Sequence, residues 1–347
     1  MNGFKSGGYP GFFLLEGVFG KLRREKGIYH KTFYCNELSS LSDGVQLLDM
    51  FLLSDIQYCS NERGIKWLNA TLSDKTGNMN AKIWADKIQM EYESFQGQIV
   101  IVSGTITFYA GKQELIVDKM LLAKEAEYEL SEIIKILSDE KIRTYKEQIH
   151  TMIENISSES IRAFVSEVFT SENIEQMTKL PVRLCGHHAY QGALLEHISE
   201  VVTGAYCFVR STAVVRELKV DLDLVIAGAL LHDAACLLKY EPEGYLYRMK
   251  DGIGFCNDGY LMFQIMENAK KVCELDAKIY QLLLHIIEAS HGNTEPKTME
   301  AMVVSSQNKL SAELETYESE CLAIENQNND GCLWSQELKR ELYRIRR

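Results

Sequence analysis

His232 and Asp233 stand side by side in ALLHDAACLLKY, residues 229–240, a run that is otherwise almost wholly apolar. A carboxylate withdrawn from water without a partner loses several kcal/mol or gives up its charge, so something nearby must compensate Asp233. Six of the eight histidines, His187, His188, His197, His232, His285 and His291, fall in the same hundred or so residues. His197 shares a helical stripe with Leu194, Val201 and Ala205, which predicts that its ring points inward. Buried imidazoles and a buried carboxylate from separate helices suggest a metal site, because a divalent cation neutralises the acid and accepts neutral imidazole nitrogen as a ligand. Taken singly, each histidine is more simply a hydrogen-bonded core residue. The adjacent His-Asp pair in an apolar helix is what favours the metal.

The elements that must position these residues lie in the later part of the chain. From about residue 125 the apolar spacing is helical: YELSEIIKIL, DEKIRTYKEQIHTMIENI and SESIRAFVSEVF follow Ser and Asp start signals and form a helical connector, 124–180, ending near Pro181. Long apolar helices then continue over 181–315, interrupted only by GYLYRMKDGIGF, which suits a small hairpin. The tail, 316–347, turns polar at ENQNNDG and finishes on WSQELKRELYRIRR, read as a basic helix.

Residues 47–123 read differently. LLDMFLLSDIQY, IKWLNATLSD, MNAKIW, QIVIVSGTITFY and ELIVDKML are apolar or alternating runs separated by the turn signals NERG, DKTGN and AGKQ. Five strands, with a helix-compatible KIQMEYESF between the third and fourth, give the element order of an OB-fold barrel. Leu68, Ala70 and Leu72 alternate with Trp67, Asn69 and Thr71, and Ala81 and Ile83 alternate with Lys82 and Trp84. One face is therefore core, while the other carries two tryptophans beside a lysine. Those tryptophans either cover the barrel and pack against the second domain, or they stack on unpaired bases at about 1–3 kcal/mol each. Residues 1–46 form an N-terminal extension in which GFFLLEGVF suits an extra strand and KLRREKG a solvated loop. The fold class is thus α+β and multidomain: a five-stranded OB-fold barrel followed by an all-α domain.

Composition sets the outer bounds. The chain has 347 residues, 25% of them charged, and a net charge of −12. The excess acid lies in the helical part, while the barrel region is nearly balanced, so overall electrostatics do not draw the protein toward nucleic acid. Nine scattered cysteines with no C-x-x-C pair argue against a disulfide framework and against a zinc ribbon. Neither a membrane span nor a secretory start is read from the sequence, and a cytoplasmic location with no membrane partner is expected.

His197, then His232-Asp233, on successive helices resembles the HD superfamily of metal-dependent phosphohydrolases. A barrel ahead of GHHAYQGALLEH (186–197), the AGALLHD run and LHIIEASHG (284–292), in that order, resembles the YhaM-type 3′–5′ exoribonucleases over roughly 47–315. The resemblance implies an HD domain in which His197, His232, Asp233 and Asn308 hold a divalent ion, manganese by expectation. It implies Asp233, His232, His285 and His291 as catalytic residues. His187 and His188, otherwise an exposed helix-entry pair, would contact phosphate, and Trp67, Lys82 and Trp84 the strand. Single-stranded RNA, or DNA, is the implied partner, and a homo-oligomer the implied assembly. The sequence departs from the family at Cys236 (Lys expected), Tyr260 (His expected), Ser290 of Ser290-His291 (His expected) and Asn308, where the closing aspartate should stand. Two further readings follow from those departures: a degenerate HD domain carried beside a strand-binding barrel, and a phosphohydrolase of free nucleotides.

Overall fold

The computed structural model describes residues 23–25, 27–38, 41–109, 111–184, 188–217, 219–325 and 332–343. The chain divides into two compact units between Glu129 and Leu130.

In the first unit, strands β3 (Gln46–Ser60), β4 (Lys66–Asp74), β5 (Gly77–Trp84), β6 (Ile99–Tyr109) and β7 (Lys112–Leu122) close a barrel in the order β3-β4-β5-β7-β6. Every pairing is antiparallel except β5 with β7. That is the OB-fold order anticipated from the strand runs. Period-two alternation places Phe51, Leu53, Leu68, Leu72, Ile83, Val100, Val102 and Leu115 in one apolar interior. β3 pairs with β6 through its first half and with β4 through its second, and the register break between Leu53 and Asp55 bends it between the two. A Cβ at Gly104 would lie 2.4 Å from the Ile116 carbonyl oxygen, so only glycine allows β6 to run this close to β7. Two 3₁₀ turns, Ala85–Lys87 and Tyr92–Phe95, occupy the KIQMEYESF region and its approach.

Ahead of the barrel, β1 (Arg23–Glu25) pairs with β2 (Ile28–His30), and α1 (Cys35–Leu38) follows. KLRREKG is therefore partly strand rather than loop, because Gly27 at φ 94° supplies a hairpin turn. The strand expected at GFFLLEGVF lies outside the described residues. Lys31 fastens this segment to the barrel: its buried Nζ donates to the Met50 carbonyl at 2.6 Å and lies 3.2 Å from Asp74 Oδ2. Asp49, fully buried, accepts the Thr32 and Phe33 amides.

The second unit contains α2 (Leu130–Ile133), α3 (Asp139–Glu154), α4 (Glu159–Val168), α5 (Ser171–Met177), α6 (Ala193–Val215), α7 (Leu222–Leu231) and α8 (Cys236–Lys239). The hairpin β8 (Tyr240–Glu243) and β9 (Leu246–Met249) precedes α9 (Asp258–Lys270), α10 (Ala277–Ser290) and α11 (Met299–Glu325). Ser138, Ser158, Thr170, Asp221, Asn257 and Asp276 each accept amides of the helix they open, which fixes where these segments start. α3, α4 and α5 contribute Ile149, Phe164 and Met177 to the same core as Val201 of α6 and Ile226 of α7. The stretch read as a connector is thus part of the helical unit, because its apolar stripes need that core to be buried. α11 runs straight through the boundary expected at 315.

The tail differs from expectation. β10 (Cys332–Ser335) and β11 (Arg340–Tyr343) form a hairpin packed on α11, with Leu342 and Ser335 buried. Packing of that alternation overrides the helical propensity of QELKREL. α6 is long and apolar enough by length and composition to cross a bilayer, with a mean hydropathy of 1.2 over its best window. Its inner row, Leu194, Ile198, Val201, Ala205 and Val209, belongs to the helical core.

Glycines set the closest helix contacts. A Cβ on Gly228 of α7 would meet Ile286 Cγ2 of α10 at 2.5 Å, and one on Gly204 of α6 would meet the Gln307 side-chain oxygen of α11 at 2.4 Å. Ile286 is held in the core, whereas Gln307 ends in a flexible amide. Gly228→Ala is therefore expected to cost about 1–3 kcal/mol in urea unfolding, and Gly204→Ala clearly less. Equal losses would show that the α7–α10 contact does not constrain the packing.

Candidate functional site

α7 ends at Leu231, so His232 and Asp233 sit in the turn just beyond it rather than within the helix, still almost wholly buried. The turn aims both side chains at α6 and α11. His197 Nε2 lies 3.1 Å from His232 Nε2, 3.0 Å from Asn308 Oδ1 and 3.3 Å from Asp233 Oδ2. His232 Nε2 is 3.4 Å from the same carboxylate oxygen. His291, the residue that ends α10, places Nε2 2.8 Å from the His232 carbonyl and 3.5 Å from Asp233 Oδ1. Among the described residues, no lysine or arginine lies within ion-pair distance of Asp233.

The outer hydrogen bonds decide where the protons are. His232 Nδ1 faces the Ala229 carbonyl at 2.7 Å, so it carries a proton and leaves Nε2 a lone pair. Ser311 donates its single hydroxyl proton to Glu200 Oε2 at 2.6 Å and therefore accepts from His197 Nδ1 at 3.0 Å, which leaves His197 Nε2 a lone pair as well. The Asn308 amide nitrogen donates to the Ser290 carbonyl at 2.9 Å, turning Oδ1 toward His197. With His197 neutral, four acceptor atoms, two nitrogens and two oxygens, converge. Separations of about 3 Å are those of neighbouring ligands on one cation, and each imidazole has the second partner that metal-bound histidines use to fix their tautomer.

Electrostatics agree with this arrangement. Burial pushes His232 down to about 4, so the ring is neutral and able to ligate at ordinary pH. Burial raises Asp233, and the surrounding imidazoles hold it below the usual range only to the extent that they carry a proton, so with neutral rings its charge needs another compensation. A cation fits this donor set: one formal negative charge, one neutral amide oxygen and two neutral imidazole nitrogens.

The other expected residues are placed as follows. His188 is buried rather than exposed at a helix entry, its ring 4.7 Å from His197 and its Nε2 3.9 Å from Glu200 Oε2, with a left-handed backbone at φ 55°. Its amide donates to Glu315 and its carbonyl accepts from Val182, which holds that conformation. His187 lies outside the described residues. His285 is not brought into the cluster: its Nε2 accepts the Lys297 amide at 2.9 Å, which closes the loop after α10. Tyr260 is half exposed on α9, its hydroxyl accepting from Gln264. The sequence pattern does not single out Glu200 and Ser311, although each stands three residues after a candidate ligand, one turn along the same helix face as His197 and Asn308.

On the barrel, Trp67, Lys82 and Trp84 share the outer face of β4 and β5. Trp67 pairs with Trp84 across the strands, ring centroids 6.3 Å apart, and its indole N–H donates to Asn69 at 2.8 Å. Lys82 Nζ stands 5.8 Å from Trp67, 5.5 Å from Trp84 and 5.9 Å from Tyr109, measured to the ring centroids. Tyr109, at the end of β6, joins this surface from a strand the sequence pattern had left without a role.

No family model matches the chain. Among solved structures it is similar to the mitochondrial single-stranded DNA-binding protein Rim1 of S. cerevisiae, at 11% identity over 24% of this chain and 97% of that one, TM-score 0.21. It is similar to a replication protein A heterotrimer bound to ssDNA, at 16% identity over 30% of this chain and 72% of that one, TM-score 0.19. A third is the second OB-fold domain of replication protein A from Methanococcus maripaludis, at 20% identity over 24% of this chain and 85% of that one, TM-score 0.17. At these scores the likenesses carry no functional argument.

If Asn308 is a ligand, Asn308→Asp gives the site a second carboxylate. Manganese affinity measured by calorimetry should then rise on the order of tenfold, while the metal-free variant should melt lower than the wild type because two acids face each other uncompensated. An unchanged affinity would place the ion away from Asn308.

Proposed function

We propose that the protein hydrolyses phosphodiester bonds of single-stranded RNA with a divalent cation, manganese by preference, from a 3′ end in the manner of the YhaM-type enzymes. The strand is bound on the barrel and cut in the helical unit. The observation that carries this reading is the convergence of His197 Nε2, His232 Nε2, Asp233 Oδ2 and Asn308 Oδ1 within a few ångströms of one another.

The chain's own residues have separable tasks. Asp233 supplies the charge, and His197 and His232 supply neutral nitrogen held in one tautomer by Ser311 and by the Ala229 carbonyl. His291 donates from Nε2 to the His232 carbonyl, and its partly exposed ring leaves Nδ1 to exchange a proton with substrate. When bound, a divalent cation lends Lewis acidity to the phosphodiester and lowers the pKa of attacking water toward neutrality. The dry, apolar walls around α7 strengthen every charge interaction inside the site.

On the barrel, exposed Trp84 and Tyr109 with half-buried Trp67 offer π-faces for unpaired bases. Asn308 in place of an acid, with Cys236 buried three residues beyond Asp233, favours a second reading in which the helical unit no longer cuts and the barrel alone acts.

Incubation with a 3′-hydroxyl RNA oligonucleotide separates the two. With added manganese, wild type should shorten the RNA from its 3′ end and Asp233→Ala should leave it intact. If both proteins leave it intact while binding it, the second reading holds; release of phosphate from mononucleotides alone would move the activity to small substrates. Trp84→Ala should weaken binding of the oligonucleotide by about 1–3 kcal/mol in a fluorescence titration, and unchanged binding would assign the tryptophans to packing.

A further inference from the structure

Lys82 is the cation at the centre of the aromatic face, and it is already engaged. Its Nζ lies 3.1 Å from Glu114 Oε2, with the two side chains only 19% and 23% exposed. Glu114 comes from β7, the strand that closes the barrel against β5, and it sits opposite Thr107 of β6. Leu115 on one side of it is buried in the barrel, so alternation along β7 turns Glu114 outward beside Lys82. Three rings, Trp67, Trp84 and Tyr109, stand within 6 Å of the same ammonium. At rest the face is therefore an aromatic surface with a neutralised centre, the Glu114 carboxylate standing where a strand's phosphate would bind.

We propose that Glu114 regulates strand binding by competing with phosphate for Lys82: a phosphodiester oxygen reaches the ammonium only by displacing the Glu114 carboxylate. The proposal rests on the reading of the barrel as a single-strand binder and adds to it a residue that sets affinity and salt response. The physical consequence is specific. When a phosphate takes Lys82, the strand releases a condensed counterion, but the freed Glu114 takes up a cation from solution. The two cancel, so Lys82 contributes base-face and contact energy with almost no salt dependence. With Glu114 made neutral, Lys82 is available at once and the cancellation disappears. Glu114 thus weakens a contact that the aromatic face is otherwise built to make, which suits a protein that must let a strand slide through rather than hold it.

The test uses the full chain, in the absence of divalent metal so that no cutting occurs, and fluorescein-labelled oligo(U) and oligo(dT) of about 15 nucleotides, the scale of one OB-fold site. Binding is titrated over a range of potassium chloride for wild type, Glu114→Gln, Lys82→Gln and the double variant, each checked for an unchanged thermal midpoint. Glu114→Gln should bind about twofold to fivefold tighter at low salt, the worth of a partly exposed ion pair. Its plot of log K against log salt should be steeper by about 0.7, the value of one added phosphate contact on a single strand. Both the tightening and the steeper slope must require Lys82, so the double variant should show the slope of Lys82→Gln. If Glu114→Gln matches wild type or binds more weakly while wild type binds strands, the competition is wrong and the barrel reading stands. If the slope steepens equally without Lys82, Glu114 acts by general repulsion and the proposal also falls. If wild type binds neither oligonucleotide, the barrel reading itself fails.

Discussion

Asp233 is a carboxylate in a helical core, and the helices around it are organised by the need to keep its charge. Water cannot reach it freely, and no lysine or arginine among the described residues is in reach, so imidazoles from three separate elements surround it instead. Neutral imidazole does not cancel a negative charge. Either a proton resides on His197 Nε2 or a cation sits among these atoms, and the hydrogen bonds of Ser311, Ala229 and Asn308, which turn His232 Nε2 and Asn308 Oδ1 inward as acceptors, serve both.

The helical packing follows from this constraint. α6 brings His197, the end of α7 brings His232 and Asp233, the end of α10 brings His291, and α11 brings Asn308 and Ser311. The bare surface of Gly228 lets α7 and α10 approach until His291 can reach the His232 carbonyl, and the small Gly204 does the same for α6 and α11 near Asn308. Asp233 sits just past the C-terminus of α7, at the negative end of a helix dipole, where a cation would be favoured. Within this cluster Asp233 is joined by the neutral amide of Asn308.

Much of this was legible in the sequence, for physical reasons that differ between the two units. Period-two alternation with turn signals gave the five barrel strands and the outward tryptophans, because a closed barrel enforces inside and outside at every residue. Helical spacing and an uncompensated acid gave His197, His232 and Asp233, because burial of charge is visible in an apolar run. His285 was misplaced, since a histidine on a half-buried stripe can as well cap a loop, and it does so with the Lys297 amide. His188 was expected in solvent and is buried, because its left-handed backbone depends on tertiary hydrogen bonds to Glu315 and Val182. The connector and the tail hairpin were misread for the same reason: local pattern does not say which core an amphipathic segment will join. Glu200, Ser311, Tyr109 and Glu114 act through partners distant in sequence, and only the fold brings those partners together.

Whether a cation compensates Asp233 is decided by occupancy. Elemental analysis of the protein, purified, exposed to manganese and dialysed, measures it directly when wild type and Asp233→Ala are compared by ions per chain. One retained divalent ion per wild-type chain and none in the variant is the expected result. No retained ion in either, with nitrogen NMR showing a proton on His197 Nε2, would mean that a proton compensates Asp233 and that the cluster is a structural hydrogen-bond network.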